Sequence, residues 1–270
     1  MRYKARRGNV EESMRTRRSL VAAAVVTTCF LSACGGGEGD STDSGTCSTL
    51  KIAGGYECYE PSSSLAVVSV RGGYCSGTFI TTRHVLTAAH CFSGGTSGIQ
   101  VLNQYFSYGV ADIKIHPAFN PSSPSDQNDV AVVTINSSAP VSPVPLRLSS
   151  PTRAGESVVT YGYGLDQDDE TYIDRVENGE AGLKSTPLDV IEVSDFAVQS
   201  ISDGTGDTCR GDSGGSLLAN GNNGQPGIVA LVRAGPLPCQ AEGGASDNTN
   251  VQAASVLNFI RSAAPGVATN

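Results

Sequence analysis

Three short segments that lie far apart in the chain each carry one reactive side chain in a distinctive setting. His90 stands directly before a cysteine, Asp129 stands directly before an apolar run over residues 130–133, and Ser213 lies among the glycines of residues 211–215. A fold that uses these side chains together must bring the three segments to one place. This requirement is the strongest constraint that the sequence places on the fold.

The three residue types fit a nucleophilic mechanism. A serine hydroxyl is a weak nucleophile at neutral pH and needs an adjacent base. An imidazole, whose unperturbed pKa is about 6.5, can take up and return that proton. A carboxylate beside the imidazole holds its tautomer and stabilises the imidazolium. The chain order His90, Asp129, Ser213 differs from the orders of subtilisins and α/β-hydrolases, which disfavours a general esterase.

Four segments resemble motifs of the chymotrypsin/trypsin family of serine proteases, and they occur in the family order. Residues 86–91 resemble its TAAHC motif, residues 128–133 its NDIAL strand start, residues 209–215 its GDSGG loop, and residues 52–55 its IVGG mature N-terminus. The likeness spans nearly all of residues 52–260. It implies a serine endopeptidase in which His90, Asp129 and Ser213 are catalytic and an acyl-enzyme forms.

The family fold that this resemblance implies is all-β. It consists of two antiparallel six-stranded barrels with the site in the cleft between them, followed by a short C-terminal helix. We expect the first barrel over residues 52–142 and the second barrel with the helix over residues 143–270. The composition agrees, because only 16% of the residues are charged and glycine occurs 32 times, as is typical of β-rich, loop-rich proteins.

The local sequence pattern predicts several of these elements directly. Apolar, β-rich runs bounded by Gly, Pro and Ser predict strands at residues 65–70, 77–80, 100–102, 130–135, 157–161 and 227–232. Residues 251–262 read as an amphipathic helix, with Val256, Leu257 and Ile260 on one face.

The resemblance also implies how a substrate is held. The backbone N–H groups of Gly211 and Ser213 are the expected oxyanion hole, since negative charge develops there in the transition state. Asp207, two residues before Cys209, corresponds to the pocket acid of trypsin-like members and implies cleavage after Lys or Arg. The alternative is a solvated loop acid.

The strand that pairs with the substrate backbone departs from the family pattern. Arg233 falls where the family has Ser, followed by Ala234 in place of an aromatic and by Gly235. Arg233 is expected to pair with Asp129, to pair with Asp207, or to point away; a shifted alignment places Ala230 and Leu231 there instead.

An activation site precedes the IVGG-like start. Lys51 and Ile52 form a trypsin-type cleavage site. In the family, the freed amino group pairs with the aspartate before the nucleophile, here Asp212, and this pair orders the oxyanion loop. The uncut chain is therefore expected to be nearly inactive.

Eight cysteines suit an oxidising compartment. The resemblance implies disulfides between Cys75 and Cys91 and between Cys209 and Cys239. Cys47 and Cys58 flank the activation site. They either pair, which keeps the cut propeptide attached, or Cys47 bonds another chain or stays free.

The N-terminal sequence is typical of an export signal. Six arginines within residues 2–18 precede an apolar run over residues 20–33, which is too short for a comfortable membrane span. The sequence Leu-Ser-Ala-Cys at residues 31–34 resembles a bacterial lipobox, which implies lipidation at Cys34; an ordinary signal peptide is the alternative. The sequence is compatible with export by the Sec pathway or by the twin-arginine pathway, and with translation that starts at Met1 or at Met14. Residues 34–51 then form a flexible tether and propeptide.

Charge limits the possible partners. Residues 52–270 carry ten Lys/Arg against 21 Asp/Glu. This part of the chain therefore lacks the excess of positive charge that a nucleic-acid-binding protein needs. We expect a monomer that acts on protein or peptide substrates, without a metal or cofactor, anchored to a bacterial envelope membrane through its lipid or secreted. The acidic run at residues 166–170 lacks the ligand pattern of a calcium loop. The alternative function is a weak or inactive binding protein on a protease fold.

Overall fold

The computed structural model describes residues 64–71, 73–103, 106–123, 127–165, 183–202, 204, 206–237, 239 and 243–270. All of them belong to the unit Gly45–Asn270. Several predictions lie outside the described residues, namely the export signal at residues 1–33, the tether at residues 34–51, Cys34, Cys47, Cys58, the bond between Lys51 and Ile52, and the acidic run at residues 166–170.

Six antiparallel strands close the first barrel in the spatial order β1-β2-β3-β6-β5-β4. The strands are β1 (Leu65–Val70), β2 (Gly73–Phe79), β3 (His84–Thr87), β4 (Gln100–Asn103), β5 (Phe106–Ile115) and β6 (Ala131–Ile135). A single 3-10 turn, His90–Phe92, follows β3.

The second barrel closes in the order β10-β11-β12-β9-β8-β7. Its strands are β7 (Ser157–Gly162), β8 (Lys184–Val193), β9 (Ala197–Ser202), β10 (Ser216–Asn220), β11 (Pro226–Ala234) and β12 (Ala245–Asn250). Helix α1, Ala254–Ala263, follows β12. The all-β prediction of two six-stranded barrels and a C-terminal helix is therefore confirmed.

Strand β6 shows how the apolar runs build two cores at once. Successive side chains of a strand point to opposite faces. Val133 and Ile135 pack inside the first barrel with Phe79, whereas Val132 packs with Leu231 of β11. The second cluster also holds Val256 and Ile260 of helix α1. Because β6 is apolar on both faces, it joins the two barrels, and Asp129 stands at its start.

The predicted strands match in position but not always in length. Strand β1 has the predicted bounds, β2 starts four residues earlier than predicted, and β11 extends to Ala234. Helix α1 begins at Ala254 rather than at residue 251, because Asn250, Val251 and Gln252 still carry strand-end and turn hydrogen bonds. Val256 and Ile260 are buried as predicted, and Leu257 is partly buried.

The barrel boundary that we expect after residue 142 falls in the segment between the end of β6 and the start of β7. Leu146 of this segment bridges to Ile228 of β11 and to Thr269. The described helices include none long and apolar enough to cross a membrane.

Candidate active site

His90 and Asp129 form a two-point contact. The backbone N–H of His90 donates to Asp129 Oδ1 over 2.8 Å, and His90 Nδ1 lies 2.6 Å from Asp129 Oδ2. A carboxylate only accepts hydrogen bonds, so Nδ1 carries the proton and Nε2 is left with a lone pair. The Asp129 side chain is fully buried, whereas the His90 side chain is 33% exposed. The imidazole thus presents a basic nitrogen from a fixed orientation.

The backbone around Asp129 is held from both sides. Asn128 has φ 60°, in the left-handed region that asparagine tolerates better than most residues. The second barrel contributes as well, since Thr249 Oγ1 of β12 donates to the carbonyl oxygen of Asp129 over 3.1 Å. Contacts from both barrels therefore hold Asp129 in place, at its carboxylate and at its backbone carbonyl oxygen.

Ser213 lies just before β10, against residues of the first barrel. The backbone N–H of Ser76 donates to the Ser213 carbonyl oxygen over 2.8 Å, and the N–H of Gly214 donates to Val232 over 2.7 Å. A Cβ added to Gly214 would overlap Thr87 Oγ1 and would lie 2.7 Å from the backbone nitrogen of Ala88. This close approach brings the serine loop against the segment that leads into His90.

The hydroxyl of Ser213 is not hydrogen-bonded to the His90 ring among the described residues. Contacts between a nucleophile and its base are often long without substrate and shorten when substrate binds. The structure therefore places the two residues on adjoining segments and leaves the hydroxyl available.

The turn before Ser213 has a defined shape. The N–H of Asp212 donates to the carbonyl oxygen of Cys209 over 3.1 Å, and Gly211, the third residue of the turn, has φ 94°. That value favours glycine, and a Cβ there would also strike the ring of Tyr74. Ser76 Oγ donates to the Gly211 carbonyl oxygen over 2.8 Å.

Asp212 is sealed beneath this turn. Its carboxylate is fully buried and accepts the N–H groups of Gly164 and Cys209, each over 2.8 Å. Burial raises the pKa of Asp212 to about 7, against the lowering effect of these two hydrogen bonds and of the Lys184 charge. A cation placed beside Asp212 would stabilise the ionised form of this carboxyl at neutral pH.

Asp207 is buried as well, with 2% of its surface exposed. Its Oδ1 accepts the N–H of Thr208 over 2.7 Å and the hydroxyl of Ser246 over 3.0 Å, whereas its Oδ2 has no hydrogen-bond partner among the described residues. Burial raises the pKa of this carboxyl, and the two hydrogen bonds oppose that effect. The alternative reading of Asp207 as a solvated loop acid is therefore wrong.

Gly235 packs directly on this site. A Cβ added to Gly235 would overlap Thr208 Oγ1 and would lie 2.6 Å from the Thr208 carbonyl oxygen. Thr208 in turn shares a 2.7 Å hydrogen bond with Ser246. The strand end at Gly235 thus forms a wall against the segment that carries Asp207.

Arg233 takes a partner that the sequence did not indicate. Its Nη2 pairs with Asp247 Oδ2 on the neighbouring strand β12. The register of β11 and β12 shifts between Val232 and Ala234, so Arg233 is the extra residue of a bulge, and bulges redirect side chains. The hydrogen bonds of Val232 to Gly214 and Gly215 also place Arg233, and not Ala230, directly after the strand segment that contacts the serine loop.

Two disulfides brace these elements. Cys75 of β2 is bonded to Cys91 directly after His90, and Cys209 is bonded to Cys239. Disulfides persist in oxidising compartments, so the pair of bonds indicates an extracellular setting for the folded chain.

The other two histidines have separate contacts. His84 Nδ1 lies 2.7 Å from Thr81 Oγ1, and His116 packs on Phe259 and contacts Ser255 of helix α1. Burial lowers the pKa of both rings. Both rings therefore make contacts within the fold that do not involve Asp129.

Sequence reasoning missed Ser76, Gly164, Ser246 and Thr249. Ser76 is the most connected of them, because its hydroxyl accepts the Tyr163 N–H over 2.9 Å while it donates to Gly211. Its position next to Cys75 was the only available hint. The others contribute single contacts that depend on strand register.

Comparison with known proteins agrees with this geometry. A sequence model of the family described as Trypsin matches residues 52–259. Melanization protease 1 of Drosophila melanogaster is 29% identical over 238 residues, which cover 71% of this chain and 58% of that protein. Trypsin-3 of Homo sapiens is 31% identical over 190 residues, which cover 63% of this chain and 61% of that protein. The chain thus spans about six tenths of the length of these relatives.

Solved structures show the same architecture. Mouse neuropsin, described as a serine protease expressed in the limbic system of mouse brain, superposes with a TM-score of 0.61 at 22% sequence identity. The match covers 74% of this chain and 95% of that chain. At this identity the likeness concerns the fold.

Proposed function

The chain belongs to the trypsin family of serine proteases, and from this premise we propose that it is an endopeptidase in which Ser213 attacks the scissile carbonyl. The observation that carries the proposal is the two-point contact of His90 with the buried Asp129, on a segment that adjoins the loop of Ser213.

Each step follows from the orientation of the imidazole. As Ser213 Oγ bonds to the carbonyl carbon, its proton passes to His90 Nε2, and Asp129 stabilises the resulting imidazolium through Nδ1. When the tetrahedral intermediate collapses, the C–N bond breaks and the leaving amine takes the proton from Nε2. A water molecule then repeats the sequence on the acyl-enzyme, and its attack releases the acid product and the Ser213 hydroxyl.

Gly211 and Ser213 donate their N–H groups to the oxyanion. The formed turn, with Gly211 at φ 94° and its carbonyl oxygen held by Ser76, supports this assignment. Donors fixed in advance need no reorganisation during the reaction and typically lower the barrier by several kcal/mol.

Asp207 selects Lys or Arg on the acyl side of the cleaved bond. Its buried Oδ2 lacks a partner among the described residues, and a cationic side chain would satisfy it. A neutral side chain would leave the buried carboxylate unpaired, which costs binding energy. Gly235, packed against Thr208, forms part of the pocket wall, and Arg233, paired with Asp247, lies on the substrate-binding strand.

The enzyme is made as a precursor that is cut between Lys51 and Ile52. The new amino group pairs with Asp212, whose raised pKa and full burial are the environment in which a cation stabilises a carboxylate. A Lys/Arg-specific enzyme accepts Lys51 as its own substrate, so self-activation follows from the same specificity.

Residues 1–33 export the chain, and Cys34 carries a lipid that anchors it in a bacterial envelope membrane, as the sequence at residues 31–34 supports. A disulfide between Cys47 and Cys58 would keep the active domain on its tether after cleavage. Loss of lipid labelling in Cys34→Ala, and retention of the 34–51 peptide in non-reducing mass spectrometry of the cut protein, test these two points. The active form is a monomer.

Profiling of a peptide library with the cut enzyme tests the proposed activity. We expect cleavage after Lys and Arg, lost in Ser213→Ala. A protein that binds peptides without cleaving any of them would instead be the inactive binding protein, the alternative that the unusual Arg233 suggests.

A further inference from the structure

The two oxygens of the Asp207 carboxylate have different surroundings. Oδ1 accepts the N–H of Thr208 over 2.7 Å and the hydroxyl of Ser246 over 3.0 Å. Oδ2 is buried and has no hydrogen-bond partner among the described residues. An ionised carboxylate offers about four acceptor sites, two on each oxygen. Oδ1 is therefore fully used, and the free acceptor sites of the Asp207 carboxylate lie on Oδ2 alone.

The hydroxyl of Ser246 is held as a donor to Asp207. Ser246 lies on strand β12 and is fully buried, and its Oγ also lies 2.7 Å from Thr208 Oγ1. A hydroxyl carries one proton, so a Ser246 that donates to Asp207 must accept the proton of Thr208. Thr208 is fully buried as well and packs against Gly235. The row of contacts from Thr208 through Ser246 to Asp207 therefore has little freedom to rearrange.

Lysine and arginine side chains place different demands on a carboxylate. A guanidinium is a planar fork that binds a carboxylate best through two parallel N–H groups, one to each oxygen. An ammonium is a compact point charge, and any of its three donors can bind a single oxygen. Because Asp207 has free acceptor sites on one oxygen only, it suits an ammonium better than a guanidinium fork.

A substrate arginine has two ways to bind this carboxylate, and each has a cost. To use both oxygens, its fork must displace the Ser246 hydroxyl from Oδ1, which leaves a buried donor without its acceptor. To leave Ser246 in place, the fork must bind Oδ2 alone and give up its second hydrogen bond to the carboxylate. A substrate lysine avoids both costs, so the difference in binding free energy favours lysine.

We propose that Ser246, by occupying Oδ1 of Asp207, makes the pocket selective for lysine over arginine. The inference rests on the proposed function, in which Asp207 receives the substrate cation, and it narrows the substrate class from Lys or Arg to chiefly Lys. Ser246 acts through Asp207 and is therefore a positioning residue. Lysine is also the residue before the proposed activation cleavage, at Lys51, which agrees with this preference.

The test uses the full chain, cut by immobilised trypsin that is then removed, and two peptide amides that differ only in Lys or Arg before the cleaved bond. We expect the kcat/KM of wild type to be about tenfold or more higher for the Lys substrate, equivalent to at least 1.4 kcal/mol. Ser246→Ala should lower this Lys/Arg ratio about tenfold, because the Arg substrate gains a second hydrogen bond at Oδ1. Both substrates are measured on one preparation, so the fraction of folded enzyme cancels from the ratio.

Ser200→Ala is the matched control. Ser200 is a fully buried serine of β9 that lies opposite Ser246, and its hydroxyl accepts from Asn248 over 3.0 Å. Among the described residues it makes no hydrogen bond to Asp207, so its loss perturbs the same pair of strands and should leave the Lys/Arg ratio unchanged. A second measurement needs no variant, since an alkylammonium ion should inhibit cut wild type at about a tenfold lower concentration than an alkylguanidinium ion of equal length.

Four outcomes would overturn the inference while leaving the proposed function intact. These are equal cleavage of the two substrates by wild type, faster cleavage of the Arg substrate, the same Lys/Arg ratio in Ser246→Ala as in Ser200→Ala, and inhibition by the alkylguanidinium that equals or exceeds that by the alkylammonium. Absence of cleavage of either substrate by cut wild type would overturn the proposed function itself.

Discussion

The backbone N–H of Ser76, on strand β2 of the first barrel, donates to the carbonyl oxygen of Ser213 in the second barrel over 2.8 Å. The hydroxyl of Ser76 extends this link, since it donates to Gly211 and accepts from Tyr163. One small residue thus links the loop of Ser213, the turn at Gly211 and Tyr163, which directly follows strand β7. The first barrel therefore positions the Ser213 loop of the second barrel.

Ser76→Ala should therefore weaken both stability and catalysis. The change leaves the Tyr163 N–H and the Gly211 carbonyl oxygen without their partner, which costs about 1–3 kcal/mol in the free energy of unfolding. We also expect kcat to fall about tenfold, equivalent to 1.4 kcal/mol of barrier, because the oxyanion turn loses its support. Urea unfolding and steady-state kinetics measure the two effects. Ser107→Ala, at an exposed position of β5, is the control, and identical behaviour of the two variants would refute this role.

Asp129→Asn should lower kcat by about 10⁴ with little change in KM. The amide cannot accept from both the backbone N–H and the Nδ1–H of His90, so the ring loses the tautomer that leaves Nε2 basic. Hydrolysis of a Lys or Arg ester by the cut enzyme measures the effect, with circular dichroism as the check on folding. A variant that keeps a tenth of the wild-type kcat would contradict the assigned role of Asp129.

Asp207→Asn should lower kcat/KM for Arg and Lys substrates by about 10³ or more, because the pairing of the substrate cation with a buried carboxylate is lost. A substrate with a neutral side chain at the same position should be affected far less. Burial raises the pKa of Asp207. The KM of wild type for Arg substrates should therefore rise as the pH falls, and this rise should begin at a higher pH than it would for an aspartate with an ordinary pKa. Equal losses on charged and neutral substrates would count against Asp207 as the selective group.

The stability of the uncut chain should depend on pH through Asp212. Its pKa is about 7 in the folded chain against 3.8 ordinarily, so between these values the folded state keeps a proton that the unfolded state releases. The contribution of Asp212 to the free energy of unfolding is fully present below about pH 4 and is lost as the pH rises through 7. It amounts to a total on the order of 4 kcal/mol. Urea unfolding of Ser213→Ala precursors with and without Asp212→Asn tests this slope, which the Asn form should lack. Parallel pH profiles would contradict it.

The motifs predicted that His90 would meet Asp129 and that the loop of Ser213 would adjoin them, and the structure brings these segments together; the catalytic roles of the three residues stay predictions. Strand prediction succeeded where the strands are apolar, as in β1 and β6. It failed for β5, most of whose residues are exposed, and for β8, which contains Pro187, a residue that normally argues against a strand.

The remaining site contacts depend on register, which a single sequence does not reveal. Strand β12 is almost wholly polar, yet it is buried because its side chains bond to neighbouring strands, as Asn248 does to Val198 and Ser200. The pair of Arg233 with Asp247 exists because a bulge adds one residue to β11. Neither the burial of β12 nor the bulge in β11 can be recognised from the spacing of residues in the sequence.

Fluorophosphonate labelling of the cut protein, followed by mass spectrometric identification of the modified residue, is the decisive test of the proposed mechanism. We expect Ser213 to be the residue modified and His90→Ala to abolish the modification, because the hydroxyl is nucleophilic only when the imidazole removes its proton. Labelling of Ser213 at an unchanged rate in His90→Ala, or no labelling of correctly folded cut wild type, would contradict the proposed mechanism.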